Sequence, residues 1–307
     1  MDVSIVIVNY NTCALLKNCL NSVYSYTKGV EFEVIVSDNG SSDGSIAMIK
    51  TTFPQVILLE NNYNYGFGKA NNIAQKYAKG KYIFYLNSDT ILGNNAVKIF
   101  FDYWEKSPES KEIGGLGCLL TKNNYYVHSF AAFPTKKSIL TYYFRAVASS
   151  SIIGKIYRLL RHNKRFVKNE VKQTNDNLVC RNEYITGADL FLKNNELSRF
   201  DENYFMYFEE TDLQYNNFYK HNKKLIILYE PKIEHLEGGS DSKKKNVYTF
   251  KKKTTMFFWE SCILYIRKNI ERSSFFIFFL KVLLTIKYIC PSNIFFTYKY
   301  ITRLWKK

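Results

Sequence analysis

The sequence predicts an α/β fold, a mainly parallel sheet with helices on both faces. Three observations carry this. Apolar runs without alternation, Val3–Val8 and Tyr82–Leu86 among them, read as strands buried on both faces. Helical segments with apolar residues at 3–4 spacing separate them, in the order β-α-β-α-β-α-β with short connections, and such an order makes neighbouring strands parallel. A chain of 307 residues with 46% hydrophobic content can bury a sizeable core.

The elements follow in order. Val3 to Val8 is β-branched and apolar, a first strand. Asn11 or Thr12 can cap a helix whose apolar face is Leu15, Leu16, Cys19, Leu20, Val23 and Tyr24, with Gly29 as its stop. Phe32–Val36 is a second strand, and the polar loop Ser37–Ser45 leads into a helix over 45–51. Val56–Leu59 is a third strand, 61–68 a loop and Lys69–Ala78 a helix. The run from Lys81 forms the fourth strand and ends in Asn87-Ser88-Asp89. Asn95–Lys106 reads as a helix and Gly114–Leu120 as a strand. Glu183–Leu192 reads as one strand around Gly187-Ala188, and Thr211–His221 as a helix opened by an acidic cluster. Leu225–Tyr229 is a strand that ends before Pro231.

Charge divides the chain. Residues 1–135 are neutral, with 11 basic and 11 acidic side chains. Residues 136–172 carry +9, residues 173–242 carry −6 and residues 243–307 carry +13. The positive charge is thus confined to two segments, which argues against a general nucleic-acid binder and fits a core with basic, membrane-facing additions. The expected organisation is a main domain over 1–242, a basic insertion at 136–172 with an amphipathic helix around Leu159-Leu160, and a basic, aromatic helical tail over 243–307. Within that tail Phe275–Ile289 is apolar but contains Lys281 and Lys287. It is short for a span of about 20 residues and reads as an interfacial helix. Six Cys without a CxxC pair predict free thiols, and the N-terminus enters a strand pattern without a basic leader. Both predict a cytoplasmic protein.

Candidate chemistry lies where a sheet presents ligands, at the carboxyl ends of strands. No GxGxxG follows the first strand and no P-loop is present, which weighs against a dinucleotide oxidoreductase and a P-loop NTPase. Asp38 and Asp89 each follow a predicted strand. A carboxylate at such a position can hold a divalent cation, and the cation can hold phosphates. Each feature alone has a plainer reading: Asp38 as an Asx-turn, Asn87-Ser88-Asp89 as a turn and helix cap, the acidic cluster as a complement to a helix dipole.

The ensemble is more specific. Val3–Asn11, Asp38–Ser45, Asn64–Asn72, Asn87–Thr90, Thr186-Gly187-Ala188, Tyr207–Leu213 and His235–Ser240 occur in an order that resembles glycosyltransferase family 2 with the GT-A fold, most closely its rhamnosyltransferase-like branch. The resemblance implies inverting transfer of a sugar, rhamnose or a hexose, from a dTDP- or UDP-linked donor to a hydroxyl of a lipid-linked or polysaccharide acceptor in surface glycan synthesis. It implies a GT-A domain over 1–242; with the basic, aromatic tail it points to an enzyme peripheral on the inner face of the cytoplasmic membrane, and the charge distribution to one that binds no nucleic acid. By position, Val8, Tyr10 and Asp38 contact base and ribose. Asn72, with Lys69 and Asn71, approaches the diphosphate, beside Asn87 and Ser88. Asp89 and His235 hold Mg²⁺ or Mn²⁺. The general base is one of Glu210, Glu209 and Asp212, Glu210 standing where the family usually has Asp. Asn87 replaces the first carboxylate of the family's Asp-x-Asp, so Asp89 is the only charge there. A sugar-nucleotide-forming nucleotidyltransferase and a non-catalytic membrane-surface protein are the rival readings. The first wants a Gly-rich basic loop where this chain has Asn9–Thr12, and the second has no use for the carboxylates.

Overall fold

The computed structural model describes residues 1–150, 178–180, 182–236 and 247–288, with 302 and 305. The region around Leu159-Leu160, the segment 237–246 with its first Lys triplet, and Ile289 lie outside the described residues. The chain divides into two compact units, Met1–Phe133 with Asn175–Phe257, and Pro134–Thr174 with Phe258–Lys307.

The first unit is built on a ten-stranded sheet. Its N-terminal half follows the predicted alternation: β1 (Val3–Asn9), α1 (Cys13–Tyr26), β2 (Phe32–Asp38), α2 (Ser45–Thr52), β3 (Ile57–Glu60), α3 (Phe67–Gln75) and β4 (Tyr82–Asn87). Strands β3, β2, β1 and β4 are neighbours in that order and all parallel. Beyond β4 the sheet is mixed. There follow β5 (Thr90–Leu92), α4 (Ala96–Lys106), β6 (Ile113–Lys122), β7 (Tyr125–Tyr126) and β8 (Phe130–Ala132). After the insertion come β9 (Leu178–Cys180), β10 (Glu183–Ile185), β11 (Asp189–Lys193) and β12 (Lys224–His235). Strand β11 lies antiparallel between β4 and β6, and β12 pairs with β6 in parallel and β5 in antiparallel.

Two expectations need correction. Glu183–Leu192 is two strands: β10 pairs with β8 in a small separate sheet, and β11 enters the main one. Thr186-Gly187-Ala188 is the corner between them, tied by Thr186 N–H to Ser129 O and by Asn87 N–H to Ala188 O, both at 3.0 Å. Pro231 does not end its strand. It sits inside β12, where the register with β6 shifts between Leu228 and Ile233, and a proline is tolerated at such an irregularity.

Side chains alternate between two cores. Ile5, Ile7 and Phe84 face one side with Leu16, Leu20 and Val23 of α1, Ile49 of α2 and Phe100 and Trp104 of α4. Val6, Ile83 and Tyr85 face the other with Ala74 of α3. The acidic helix α6 (Glu209–Tyr215, continued by a π-helical turn, Asn216–Lys220) adds Leu213 to this second core.

The second unit contains α5 (Lys136–Ser150), the part of α7 (Val247–Tyr265) from Phe258 onward, and α8 (Ser274–Tyr288). Tyr143 packs edge-on against Trp259 with ring centroids 4.7 Å apart, and Lys136 pairs with Glu271 at 2.8 Å. Phe144, Phe275 and Phe278 are exposed, Phe275 by 79%. No helix among the described residues is long and apolar enough to cross a membrane. The five described cysteines are free.

Candidate active site

The carboxyl ends of β1, β2 and β4 are tied together by side chains. Asn9 Nδ2 donates to Asp38 Oδ2 (2.6 Å) and Ser41 Oγ (3.0 Å), and Ser41 N–H donates to Asp38 Oδ1 (2.8 Å). Thr12 Oγ1 donates to Asn9 Oδ1 (2.5 Å) and lies 3.0 Å from Ser88 Oγ. Thr12 therefore faces this network and does not cap α1; the Cys13 N–H is taken by Asp43 Oδ2 at 2.8 Å. With polar neighbours on both carboxylate oxygens, Asp38 is fully buried and acts as the clasp of the loop after β2.

Above this clasp opens a cleft of about 700 Å³ within the first unit. Val8, Tyr10, Asn87, Ser88, Asp89, His235, Glu209 and Glu210 line it, so the structure brings together predicted residues from four distant stretches of chain. Asp38, Lys69, Asn71, Asn72 and Asp212 lie outside the lining. Lys69 pairs with Glu202 at 3.6 Å, and Asn71 Nδ2 donates to Phe67 O one turn back. Asn72 Nδ2 donates to Phe200 O and its Oδ1 accepts from Phe200 N–H, at 2.8 and 2.9 Å. A buried amide that satisfies both groups of one peptide fixes α3 to that segment. Asp212 is buried and accepts from Tyr204 OH and Asn216 Nδ2.

Glu209 and Glu210 are aimed by a second buried amide and a strained entry. Gln214 Nε2 donates to Ile185 O (2.7 Å) and its Oε1 accepts from Ile185 N–H (2.8 Å), which fastens α6 to β10. Tyr207 and Phe208, just before α6, have φ of 71° and 67°. Two successive side-chain-bearing residues in the left-handed region cost about 1–3 kcal/mol each, and such strain gathers at functional sites. Close packing holds it in place: Phe67 N–H donates to Phe205 O at 3.0 Å, and a Cβ on Gly66 would stand 2.1 Å from that same oxygen. Burial pushes both carboxyls above the ordinary range, and the charge of Glu210 pushes Glu209 further. Glu209 Oε2 is buried without a hydrogen-bond partner. The two carboxyls therefore titrate as a pair, above the ordinary carboxylate range.

Asp89 and His235 meet across the β5–β12 ladder, where His235 is in register with Thr90. His235 Nε2 is 3.3 Å from Asp89 Oδ1, and both side chains are mostly covered. One carboxylate oxygen and one imidazole nitrogen so placed fit two positions of a divalent cation's shell. No group of three or more His, Cys, Asp or Glu is placed to hold an ion among the described residues.

Several lining residues were not identified in the sequence. Asn39 takes the position expected of Asp38, one residue on; its Nδ2 donates to Gly66 O at 3.0 Å. Its place in the polar loop after β2 was a signal, but strand alternation left open which neighbour faces in. Thr186 belongs to the Thr186-Gly187-Ala188 motif, which carried no site role; His128, Thr254 and Phe257 gave no local signal.

Residues 4–148 match the model of the family described as Glycosyl transferase family 2. The chain is 32% identical over 121 residues to the poly(ribitol-phosphate) beta-glucosyltransferase of Bacillus spizizenii, covering 38% of this chain and 19% of that protein. It is 32% identical over 129 residues to the UDP-Glc:alpha-D-GlcNAc-diphosphoundecaprenol beta-1,3-glucosyltransferase WfaP of Escherichia coli, covering 41% and 46%. The matched stretch thus spans less than half of each of these relatives. Among solved structures, the mannosyltransferase PcManGT from Pyrobaculum calidifontis in complex with GDP-Man and Mn²⁺ superposes with a TM-score of 0.53 at 12% identity, covering 99% of this chain and 75% of that one. TarS of S. aureus superposes with a TM-score of 0.53 at 14% identity, covering 95% and 45%. At such identities the likeness is one of fold, and that fold is GT-A. Residues 4–148, just under half of the chain, thus carry the sequence pattern of glycosyl transferase family 2.

Proposed function

We propose that this chain is an inverting, divalent-metal-dependent glycosyltransferase that moves a hexose or rhamnose from a nucleoside-diphosphate donor to a hydroxyl of a lipid-linked or polysaccharide acceptor. The observation that carries the reading is that one cleft holds both a cation-competent pair, Asp89 and His235, and a carboxyl pair, the buried Glu209 and the half-buried Glu210. The names of the two glucosyltransferase relatives favour glucose over the rhamnose that the motif pattern suggests, and WfaP's name favours a UDP-linked donor and a diphospho-lipid acceptor.

The nucleotide lies against Val8, Tyr10 and Asn39, and Asn87 and Ser88 approach the diphosphate. The buried Asp38, Asn71 and Asn72 hold the wall behind it, and Lys69 lies outside. Asp89 and His235 hold Mg²⁺ or Mn²⁺, which when bound neutralises charge on the departing diphosphate. Glu210 accepts the proton of the acceptor hydroxyl as its oxygen attacks the anomeric carbon opposite the leaving group. A positioned base of this kind contributes about 10²–10⁴-fold. Phe205, Met206, Tyr207 and Phe257 give the acceptor end of the cleft an apolar wall. The exposed aromatics of the second unit and the charges of +9 and +13 on residues 136–172 and 243–307 fit attachment to an anionic membrane surface.

The test is incubation of the full chain and Mn²⁺ with a panel of sugar nucleotides, following release of nucleoside diphosphate and binding by calorimetry. Release from UDP-glucose or dTDP-rhamnose supports the reading; neither release nor binding with any donor refutes it.

A further inference from the structure

His128 lines the cleft and has no part in the transfer described so far. It lies between β7 and β8 and is exposed. Among the described residues its ring makes no hydrogen bond and no ion pair. The main chain that carries it is fastened on both sides. Val127 N–H donates to Leu120 O at 2.9 Å. Ser129 Oγ accepts the Leu120 N–H (2.8 Å) and donates to Val127 O (3.0 Å). Ser129 O in turn accepts the Thr186 N–H at 3.0 Å. Connecting segments are ordinarily less constrained than the elements they join, and binding groups held on a rigid frame are the common exception. The same tie sets which side of the cleft the ring meets. Gly187 follows Thr186, and a methyl on it would stand 3.4 Å from Glu210 Cβ. The corner to which His128 is bonded therefore borders Glu210.

We propose that His128 is an acceptor-recognition residue: its imidazole hydrogen-bonds a hydroxyl of the acceptor sugar next to the hydroxyl that reacts at Glu210. The inference deepens the function proposed above and rests on it. A neutral imidazole carries an N–H on one nitrogen and a lone pair on the other, and a sugar hydroxyl both donates and accepts, so the two are matched in either ring orientation. Because the main chain at His128 is already held, binding has only the side-chain torsions left to fix, and a preorganised group of this kind loses little freedom on association. The ring also supplies what the apolar wall lacks. Phe205, Met206 and Phe257 can cover the carbon face of a sugar but do not read its hydroxyls. A polar group that pairs with one hydroxyl discriminates against a sugar that lacks or inverts it far better than an apolar surface does. His128 therefore sets which acceptor sugar is taken, and it exchanges no proton in the reaction.

The measurement is ¹H–¹⁵N NMR of the full chain with labelled histidine, in the presence of UDP and Mg²⁺, titrated with the methyl glycosides of glucose, N-acetylglucosamine and rhamnose. His128 is assigned from the signal lost in His128→Gln. His221, exposed but outside the cleft lining, is the internal control. The expected result is a saturable shift of the His128 ring signals with at least one glycoside while His221 stays put. No shift at His128 with any of them, or equal shifts at both histidines, overturns the proposal. Saturation transfer from protein to glycoside then measures affinity in the variants. His128→Leu is expected to weaken it by about 2–10-fold, the worth of one neutral hydrogen bond, and His128→Gln, which keeps a donor and an acceptor, to recover part of the loss. UDP affinity by calorimetry is the second readout. A loss of UDP affinity as large as the loss for the glycoside puts His128 at the donor end and also overturns the proposal. If a variant does not fold, the wild-type titration decides alone. A glycoside that shifts His128 in a protein releasing no nucleoside diphosphate from any donor counts against the proposed function and not against this site; release with His128 unmoved does the reverse.

Discussion

Gly66→Ala tests how the site is held. Gly66 has φ 88° and ψ −178°, a region that is essentially glycine-only, and an added methyl would stand 2.1 Å from Phe205 O and 2.9 Å from Phe205 C. The backbone conformation costs about 1–3 kcal/mol for alanine. Relieving the contact moves the Phe205 carbonyl by about 1 Å and weakens its bond from Phe67 N–H, about 1 kcal/mol more. The total is about 2–4 kcal/mol, which lowers Tm by about 5–15 °C for a chain of this size. The displaced segment leads within four residues to Glu209, and a shift of about 1 Å can cost about 10²-fold in rate. Gly44→Ala is the control. Gly44 also has positive φ, 87°, but nothing lies within 4 Å of its added methyl, so it carries the conformational cost without the displacement. Thermal denaturation with donor turnover separates the two. A Gly66→Ala protein with wild-type melting and turnover, or a Gly44→Ala protein equally impaired in turnover, would refute the reasoning.

Glu210→Gln is expected to lower transfer by at least about 10²-fold while calorimetric affinity for the donor stays within a few-fold, since the base acts after binding. Asp89→Ala removes the only charge of the cation pair; Mn²⁺-stimulated release of nucleoside diphosphate should disappear and excess Mn²⁺ should not restore it. Glu209 has its folded pKa raised by burial and by Glu210, so the folded state keeps a proton that the unfolded state has lost. This group's contribution is therefore most favourable below the ordinary carboxylate range and is lost as pH rises through the raised value. Urea midpoints of Glu209→Gln against wild type should diverge in the variant's favour with rising pH; parallel curves would count against the burial argument. Replacing Phe275 and Phe278 by Ser should reduce cosedimentation with vesicles containing phosphatidylglycerol several-fold and leave solution turnover unchanged.

Some of the site was legible before folding was considered. Val8, Tyr10, Asn87, Ser88 and Asp89 sit at strand ends, and an apolar run closed by polar residues announces where a parallel strand stops. Glu209 and Glu210 were legible as an acidic pair opening a helix, and His235 through the motif order. Hydrophobic patterning also located the first four strands and the helices between them to within a few residues, because burial on both faces of a parallel sheet leaves short continuous apolar runs, bounded here by Gly and polar turn residues. It could not divide Glu183–Leu192, since an apolar run reads alike on either side of a corner. It stopped short at Pro231, where a register shift carries β12 on to His235.

What the sequence by itself determined is thus the alternation of strands and helices, the two-sided core and the set of polar residues at strand ends. Tertiary structure decided which of them face one another. Asp38 turns inward to clasp the loop and Asn39 faces the cleft, because a peptide step at a strand end reverses the side chain. Asn72 and Gln214 are spent on the backbones of Phe200 and Ile185, residues far away in the chain. Asp89 meets His235 only because β5 and β12 are antiparallel partners, a pairing made by contacts between residues more than a hundred positions apart.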